Sequence, residues 1–327
     1  MILVTGGSGF IGSNIVAALS DAGRDVVICD WLHQDDRWRN IAAHGVSDII
    51  VPETLPAWLK QAGDRVEAVI HMGAISATTE TDVDAIVRNN IRLTIDLWDW
   101  CTTTGVPLIY ASSAATYGEG TQGFDDDASE PALARLRPLN AYGWSKHFID
   151  RRIAAILAAG GRTPPQWVGL KFFNVYGPNE YHKGSMKSVV AQNCARVVQG
   201  EPLRLFHSYR PDYADGGQTR DFVYVRDCVD VILWLLSRPD VSGLFNLGTG
   251  HARSWLDLGR ALFAALNQKE RIEFIDMPEQ IRPRYQYHTE AAMTRLRAAG
   301  YAAPFTALED GVHDYVVNYL TAPDPYR

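Results

Sequence analysis

The chain is poor in cysteine and in metal-ligand patterns. Its four cysteines, Cys29, Cys101, Cys194 and Cys228, lie far apart, with no Cys-x-x-Cys spacing. This spacing favours reduced, mostly buried thiols in a cytosolic protein. The histidines show neither a His-Glu-x-x-His motif nor a Cys/His pairing. We therefore expect no metal site.

Long apolar runs and an excess of basic charge are also missing. No segment approaches the roughly 18 apolar residues that a membrane-spanning helix needs. Residues 1–4 already belong to a predicted strand, so no export signal is expected. The formal net charge of −7 argues against a general nucleic-acid or membrane-surface binder. We expect a soluble, cytoplasmic protein with neither nucleic acid nor membrane as a partner.

Short apolar runs alternate with helical patterns through the first half of the chain. The predicted buried strands are 2–5, 25–29, 68–71, 107–111 and 168–172, and the predicted helices are 11–22, 83–103 and 142–158. This alternation predicts an α/β fold with a Rossmann-type, doubly wound parallel sheet.

The amino-acid composition changes after Phe173. The predicted elements become shorter, and Pro, Gly, Tyr and Arg become more frequent. Residues 222–225 and 244–247 are expected to return to the main sheet as strands. We therefore predict a dinucleotide-binding domain made of residues 1–173 and about 222–251. A smaller C-terminal substrate-binding lobe is predicted to contain about 174–221 and 252–327.

A glycine turn follows the first predicted strand and opens the first predicted helix. Gly6, Gly9 and Gly12 have the spacing Gly-x-x-Gly-x-x-Gly. Glycines let backbone N–H groups approach a pyrophosphate, and the helix N-terminus adds partial positive charge. The sequence predicts a dinucleotide site here, because the turn stands directly between strand and helix.

The choice between NAD and NADP stays open at this level. Asp30 ends the second strand, where an acidic side chain usually holds the ribose 2′-hydroxyl of NAD. Arg37 and Arg39 follow within one loop, and guanidinium groups there are suited to a 2′-phosphate. Residues 71–74 close the third predicted strand with small side chains suited to backing onto the cofactor. Asn89 in the next helix is expected to anchor that loop or to cap a turn.

Tyr142 and Lys146 lie four residues apart on one face of a predicted helix. An ammonium one turn away stabilises a phenolate and favours tyrosine as a general base. Ser113 follows a predicted strand and is expected to bond the same substrate oxygen. Lys146 is also expected to bond the nicotinamide ribose. Together these residues predict hydride transfer between a carbinol carbon and a nicotinamide.

The glycine turn, Ser113, the Tyr-x-x-x-Lys pair and residues 174–178 resemble the extended short-chain dehydrogenase/reductase family acting on nucleotide sugars. Within it, the chain is most similar to the ADP-glyceromanno-heptose 6-epimerase family. The narrower resemblance rests on residues 112–118, 182–186, 220–225, 284–286 and 296–301. It implies tightly bound NADP, a transient 6-keto sugar made from an ADP-heptose, and a homo-oligomer. It also implies that Lys183 serves as a second base on the opposite face of the carbon.

The resemblance implies further contacts by position. For the cofactor they are Gly6, Gly9, Phe10, Ile11, Gly12, Asp30, Trp31, Arg37, Met72, Gly73, Ala74, Ile75, Ser76, Asn89, Tyr142, Lys146, Val175 and Lys183. For the substrate they are Ser113, Asn174, Ser185, Gln192, Phe206, His207, Ser208, Tyr209, Arg220 and Tyr285. The chain departs from the enterobacterial pattern at Trp31, Arg37, Met72 and Gln192, and in a longer loop at residues 210–218.

Three other functions compete with this interpretation. A UDP-hexose 4-epimerase shares Ser113, Tyr142 and Lys146 but has no need of a base such as Lys183. A 4,6-dehydratase is expected to carry an Asp-Glu pair where Ala114 and Ala115 stand. A nucleotide-sensing regulator on the same fold commonly loses the tyrosine or the lysine, and both are present here.

Overall fold

The computed structural model describes residues 1–279, 282 and 285–327. Its strands are β1 (Ile2–Thr5), β2 (Val26–Cys29), β3 (Asp48–Ile50), β4 (Ala68–His71), β5 (Leu108–Ser113), β6 (Trp167–Phe172), β7 (Asn174–Tyr176), β8 (Leu203–Phe206), β9 (Thr219–Tyr224), β10 (Gly243–Leu247), β11 (Ala252–Ser254) and β12 (Ile272–Ile275). Its α-helices are α1 (Phe10–Asp21), α2 (Leu55–Ala62), α3 (Val83–Ile86), α4 (Leu93–Thr104), α5 (Glu130–Leu133), α6 (Ala141–Ala158), α7 (Val189–Val198), α8 (Val225–Leu236), α9 (Trp255–Ala265), α10 (Thr294–Ala298) and α11 (Leu308–Tyr315). Arg284, the first residue of the segment 284–286 named in the family resemblance, lies outside the described residues.

The central sheet has seven strands in the order β10-β6-β5-β4-β1-β2-β3, and every neighbouring pair is parallel. The predicted Rossmann-type α/β fold is confirmed. The strand order reverses direction between β1 and β4, and open sheets of this kind bind ligands at that reversal, beyond the carboxyl ends of the strands. The glycine turn after β1 and Ser113 at the end of β5 both lie on this edge.

The predicted elements lie within two residues of the observed bounds at β1, β2, β4, β5, β6, β10, α1 and α6. Most of the shorter elements, such as β7, β8, β11, β12, α2 and α5, are not predicted. The predicted helix over 83–103 is instead divided into α3, a π-helical segment at Val87–Arg92, and α4. Strand β3 is not predicted, because only Ile50 of its three residues is buried and the apolar run is too short to show.

The prediction that residues 222–225 return to the main sheet is wrong. Strand β9 instead pairs with β7 and β11 in a separate three-stranded sheet, whereas β10 does join β6 at the edge of the main sheet. An apolar run signals burial but does not identify the partner strand. A third sheet pairs β8 with β12. Of the helices within the described ranges, none combines the length and apolar character that crossing a bilayer requires.

Candidate active site

The glycine turn forms a close backbone cradle between β1 and α1. Gly6 has a φ of +66°, and a Cβ there would lie 2.6 Å from the backbone nitrogen of Gly73. A Cβ on Gly12 would collide with the carbonyl oxygen of Gly6. Gly9 is the N-cap of α1 and offers no side chain of its own. The three glycines therefore leave the helix N-terminus open to a pyrophosphate.

Asp30 is tied to the glycine turn from the end of β2. One of its carboxylate oxygens accepts hydrogen bonds from the Ser8 amide (2.9 Å) and the Ser8 hydroxyl (2.5 Å). The Ser8 carbonyl in turn accepts a bond from the Asn40 amide at 2.8 Å. Asp30 is thus fixed beside the turn, where the adenosine ribose is expected.

The loop after β4 lies against the glycine turn and is anchored by Asn90. The Asn90 side chain accepts a bond from the Ile75 amide (2.8 Å) and donates to the Ile75 carbonyl (3.0 Å). It also donates to the Ser145 hydroxyl on α6 at 3.0 Å. Asn89 bonds only the Ala85 carbonyl of its own helix in the described structure. Asn90, which sequence reasoning missed, therefore joins the predicted cofactor loop to the Tyr142 helix.

Helix α6 carries Tyr142 and Lys146 to the end of β5. Asn140 caps the helix by accepting a bond from the Gly143 amide at 2.8 Å. A Cβ on Gly143 would lie 2.7 Å from the Ala115 carbonyl oxygen, so glycine permits a close approach to the turn after Ser113. The predicted face with Tyr142 and Lys146 one turn apart is confirmed as helical.

Burial changes the acid–base properties of both side chains. It raises the pKa of Tyr142, and a hydrogen bond with Ser113 partly lowers it again. Burial lowers the pKa of Lys146 to about 8, and the Asp150 carboxylate acts in the opposite direction. No described residue accepts a hydrogen bond from the Lys146 ammonium, which is free to bond ligand hydroxyls. The Ser113 hydroxyl also accepts a bond from the Ala115 amide at 3.1 Å.

A buried ion pair lies one helical turn below Lys146. The Lys171 ammonium is 2.8 Å from Asp150, and both side chains are fully buried. Asp150 also accepts a hydrogen bond from the Ser112 hydroxyl at 2.9 Å. Lys171 donates to the Thr116 hydroxyl at 2.6 Å. This network fixes the backbone on both sides of Ser113.

Lys183 reaches the glycine turn from the segment Tyr181–Met186. Its ammonium lies 5.3 Å from the centre of the Phe10 ring at the start of α1. Burial lowers the pKa of Lys183, partly offset by the Glu180 carboxylate. Glu180 accepts bonds from the Ser188 amide (2.5 Å) and hydroxyl (2.6 Å), which hold this segment in place.

Several of the predicted substrate residues lie close together. The Arg220 guanidinium lies 5.2 Å from the Tyr285 ring and donates to the Gln286 carbonyl at 2.5 Å. The Phe206 and Tyr285 rings are 6.3 Å apart. The Gln286 amide bonds the Gly118 carbonyl, so this cluster is tied to the segment that follows Ser113.

The remaining predicted substrate residues lie nearer the surface. His207 bonds Asp215 at 2.8 Å, and the Ser208 amide bonds the same carboxylate at 2.7 Å. The Tyr209 hydroxyl donates to Asp276 at 2.7 Å. Four more predicted residues are exposed or half-buried and do not belong to the clusters described above. They are Asn174, Val175, Ser185 and Gln192. The amide of Gln192 bonds the Ser185 and Lys187 carbonyls, at 3.1 and 2.6 Å.

Comparison with known proteins places this geometry among related chains. Residues 2–248 match the model of the NAD dependent epimerase/dehydratase family. The chain is 49% identical to the ADP-L-glycero-D-manno-heptose-6-epimerase of Nitratidesulfovibrio vulgaris strain DP4, with 100% of both chains covered. The crystal structure of the Helicobacter pylori ADP-L-glycero-D-manno-heptose-6-epimerase is similar, with a TM-score of 0.79 and 26% identity over 97% of this chain and 95% of that one. The UDP-glucose 4-epimerase of Thermus thermophilus, in complex with NAD, has a TM-score of 0.74 and 27% identity over 96% and 97% of the two chains.

Proposed function

This chain belongs to the NAD dependent epimerase/dehydratase family, and we propose that it inverts C6 of the heptose in ADP-D-glycero-D-manno-heptose. The product is ADP-L-glycero-D-manno-heptose, a precursor of the lipopolysaccharide core. The protein is therefore an isomerase that works with a nicotinamide cofactor. The 49% identity over the full length to a heptose 6-epimerase supports this substrate over a UDP-hexose.

The observation that carries the proposal is the position of Tyr142 beside Ser113, one turn from the buried Lys146 ammonium. The residues fit a dinucleotide, because the turn has no room for a Cβ at Gly6 or Gly12 and Lys146 has no acceptor among the described residues. The glycine turn, Asp30 and Lys146 would hold a nicotinamide dinucleotide here, and the bound group would supply reversible hydride transfer at C6.

The chain itself supplies acid–base chemistry and orientation. The Tyr142 oxygen takes the hydroxyl proton of C6, and Ser113 holds the same substrate oxygen by a hydrogen bond. The Lys146 ammonium stabilises the phenolate and bonds the nicotinamide ribose. Asp30 holds the adenosine ribose, and the loop at residues 72–76 backs the cofactor.

Inversion also needs a proton donor and acceptor on the second face of the carbon. Lys183 fills this role in the proposal, since burial lowers its pKa and so eases proton release from the ammonium. Glu180 holds the segment that carries Lys183 in place through its bonds with Ser188. Arg220 pairs with the diphosphate of the sugar nucleotide, for which its forked guanidinium is suited.

For the finer assignments we infer NADP as the cofactor, supported by Arg37 in the loop after Asp30. The substrate binds between the main-sheet edge and the lobe of residues 174–221 and 252–327, and the enzyme acts as a homo-oligomer in the cytoplasm. The resemblance to extended short-chain dehydrogenases supports each of these assignments.

One experiment tests the reaction directly. Purified protein is incubated with ADP-D-glycero-D-manno-heptose, and the configuration at C6 is followed by NMR. We expect conversion to a mixture of both C6 epimers. UDP-glucose is the matched control, with no interconversion at C4 expected. Turnover of UDP-glucose without turnover of the heptose would contradict the proposal.

A further inference from the structure

Asp35 and Arg37 form a bidentate ion pair in the loop that follows Asp30. The Arg37 Nε atom lies 3.0 and 3.2 Å from the two carboxylate oxygens of Asp35, and its Nη2 lies 2.9 Å from one of them. Asp35 also caps the short helix Asp36–Asn40 by accepting a bond from the Arg37 amide at 3.0 Å. Hydrogen bonding to Arg37 lowers the pKa of Asp35.

This pair is connected to the glycine turn. Asn40, at the end of the same short helix, donates to the Ser8 carbonyl at 2.8 Å, and Ser8 binds Asp30. Asp30 stands where a ribose 2′-hydroxyl is recognised. A 2′-phosphate at that ribose therefore comes near the guanidinium that Asp35 already occupies.

The charged residues around the expected adenosine ribose do not by themselves favour a 2′-phosphate. Asp30, Asp35, Asp36 and Glu53 are acidic, and Arg37 and Arg39 are the basic residues of the same two loops. Arg39 lies 4.4 Å from the Tyr326 ring, and Trp31 donates to both oxygens of Glu53, at 3.1 and 3.0 Å. A phosphate monoester carries about −1.5 to −2 charges at neutral pH. To have its charge neutralised by Arg37, the phosphate must draw the guanidinium away from the Asp35 carboxylate.

We propose that Asp35 is a specificity-determining residue that competes with the cofactor 2′-phosphate for Arg37. This inference rests on the proposed nicotinamide-dinucleotide site. The side chains of Arg37 and Asp35 are 19% and 40% exposed, so solvent weakens their ion pair and another anion can replace Asp35 as the partner of Arg37. Asp35 thereby reduces the advantage of NADP over NAD and lets the same site accept both dinucleotides.

The test compares Asp35→Asn with Asp36→Asn by isothermal titration of each exhaustively dialysed protein with NADP⁺ and with NAD⁺. Asparagine keeps an oxygen that accepts the bond from the Arg37 amide, so the short helix stays capped. Asp36 carries the same charge one residue away, is exposed, and forms no ion pair within the described part of the chain. It is therefore a matched control for the loss of one negative charge.

We expect Asp35→Asn to lower the dissociation constant for NADP⁺ by about three- to tenfold and to change that for NAD⁺ by less than about twofold. Asp36→Asn should change neither by more than about twofold. In an Asp35→Asn, Arg37→Ala double variant the gain for NADP⁺ should disappear.

An unchanged ratio of the two dissociation constants in Asp35→Asn would overturn the inference. An equal gain for NADP⁺ in Asp36→Asn would overturn it as well, because the effect would then be general charge. Either result leaves the proposed reaction standing if the wild-type protein binds a dinucleotide and epimerises the heptose. Failure of the wild-type protein to bind either dinucleotide would instead contradict both.

Discussion

The Lys171 ammonium lies 2.8 Å from the Asp150 carboxylate, and neither side chain reaches solvent. Asp150 is on the Tyr142 helix, and Lys171 is on β6, next to the strand that ends at Ser113. Through the Ser112 and Thr116 hydroxyls, this pair holds the helix and the strand end together. The pair therefore helps to set the spacing between the Tyr142 phenol and Ser113, which we propose bind the same substrate oxygen.

Breaking that pair should destabilise the fold. Lys171→Met leaves a buried, uncompensated carboxylate, so we expect a loss of about 3–5 kcal/mol in the free energy of unfolding. The exposed pair of Arg238 and Asp240, at 2.8 Å, is the control, and Arg238→Ala should cost no more than about 1 kcal/mol. Urea denaturation measures both values. Equal losses in the two variants would contradict a structural role for the buried pair.

Tyr142→Phe should remove epimerisation but leave dinucleotide affinity within about twofold. The ring still packs, but it no longer has an oxygen to take the proton, and general-base contributions are about 100- to 10,000-fold. The control is Tyr110→Phe, which removes a buried hydroxyl that has no hydrogen-bond partner in the described structure. NMR rates of C6 inversion and cofactor titration give the two readouts. A normal rate for Tyr142→Phe would rule out the base assignment.

Lys183→Met should slow interconversion of the two epimers by at least about 100-fold, because one face of the carbon loses its proton donor and acceptor. Lys187→Met, four residues away, serves as the control and should keep the wild-type rate. The measurement is the initial rate of C6 inversion from each epimer. An unaffected rate in Lys183→Met would mean that another group serves the second face.

Acid should destabilise the protein through His71. Its imidazole is buried and bonded to the Thr5 and Thr94 hydroxyls at 2.6 and 2.9 Å, and burial lowers its pKa to about 3 from an ordinary 6.5. Between these pH values the unfolded chain binds a proton that the folded chain excludes, so stability falls as pH drops. One such group costs up to about 2 kcal/mol between pH 6.5 and 5.

Urea denaturation at pH 7 and pH 5 checks this effect. His71→Gln should flatten the dependence on pH, whereas replacing the exposed His251 by Gln should not. If His71→Gln does not fold, an NMR titration of the wild-type imidazole supplies the same information. A His71 resonance that titrates near pH 6.5 would contradict the prediction.

Gly12→Ala should abolish dinucleotide binding, since its Cβ would collide with the Gly6 carbonyl and deform the turn. Gly45 has open space around it, and Gly45→Ala should leave binding unchanged. Titration with NAD⁺ and NADP⁺ measures the outcome. Retained affinity in Gly12→Ala would show that the cradle is not required.

The features predicted from sequence are those encoded by local spacing. The glycine turn follows from a strand–helix boundary, and the Tyr142–Lys146 face follows from helical periodicity. The Asp150–Lys171 pair could not be predicted, because it depends on β6 lying under α6. The predicted pairing of residues 222–225 with the main sheet is wrong for the same reason, since an apolar run does not specify its neighbour.

The hydrogen bonds of the π-helical segment Val87–Arg92 span five residues instead of the four of an α-helix, and this wider turn sets which asparagine faces the predicted cofactor loop. Each residue of an α-helix advances by about 100°, so removal of one residue before Asn90 would swing its amide away from Ile75 and Ser145. The wide turn therefore orients Asn90 so that one side chain bonds both the loop after β4 and helix α6. Single-residue deletions should therefore be far less tolerated there than substitutions.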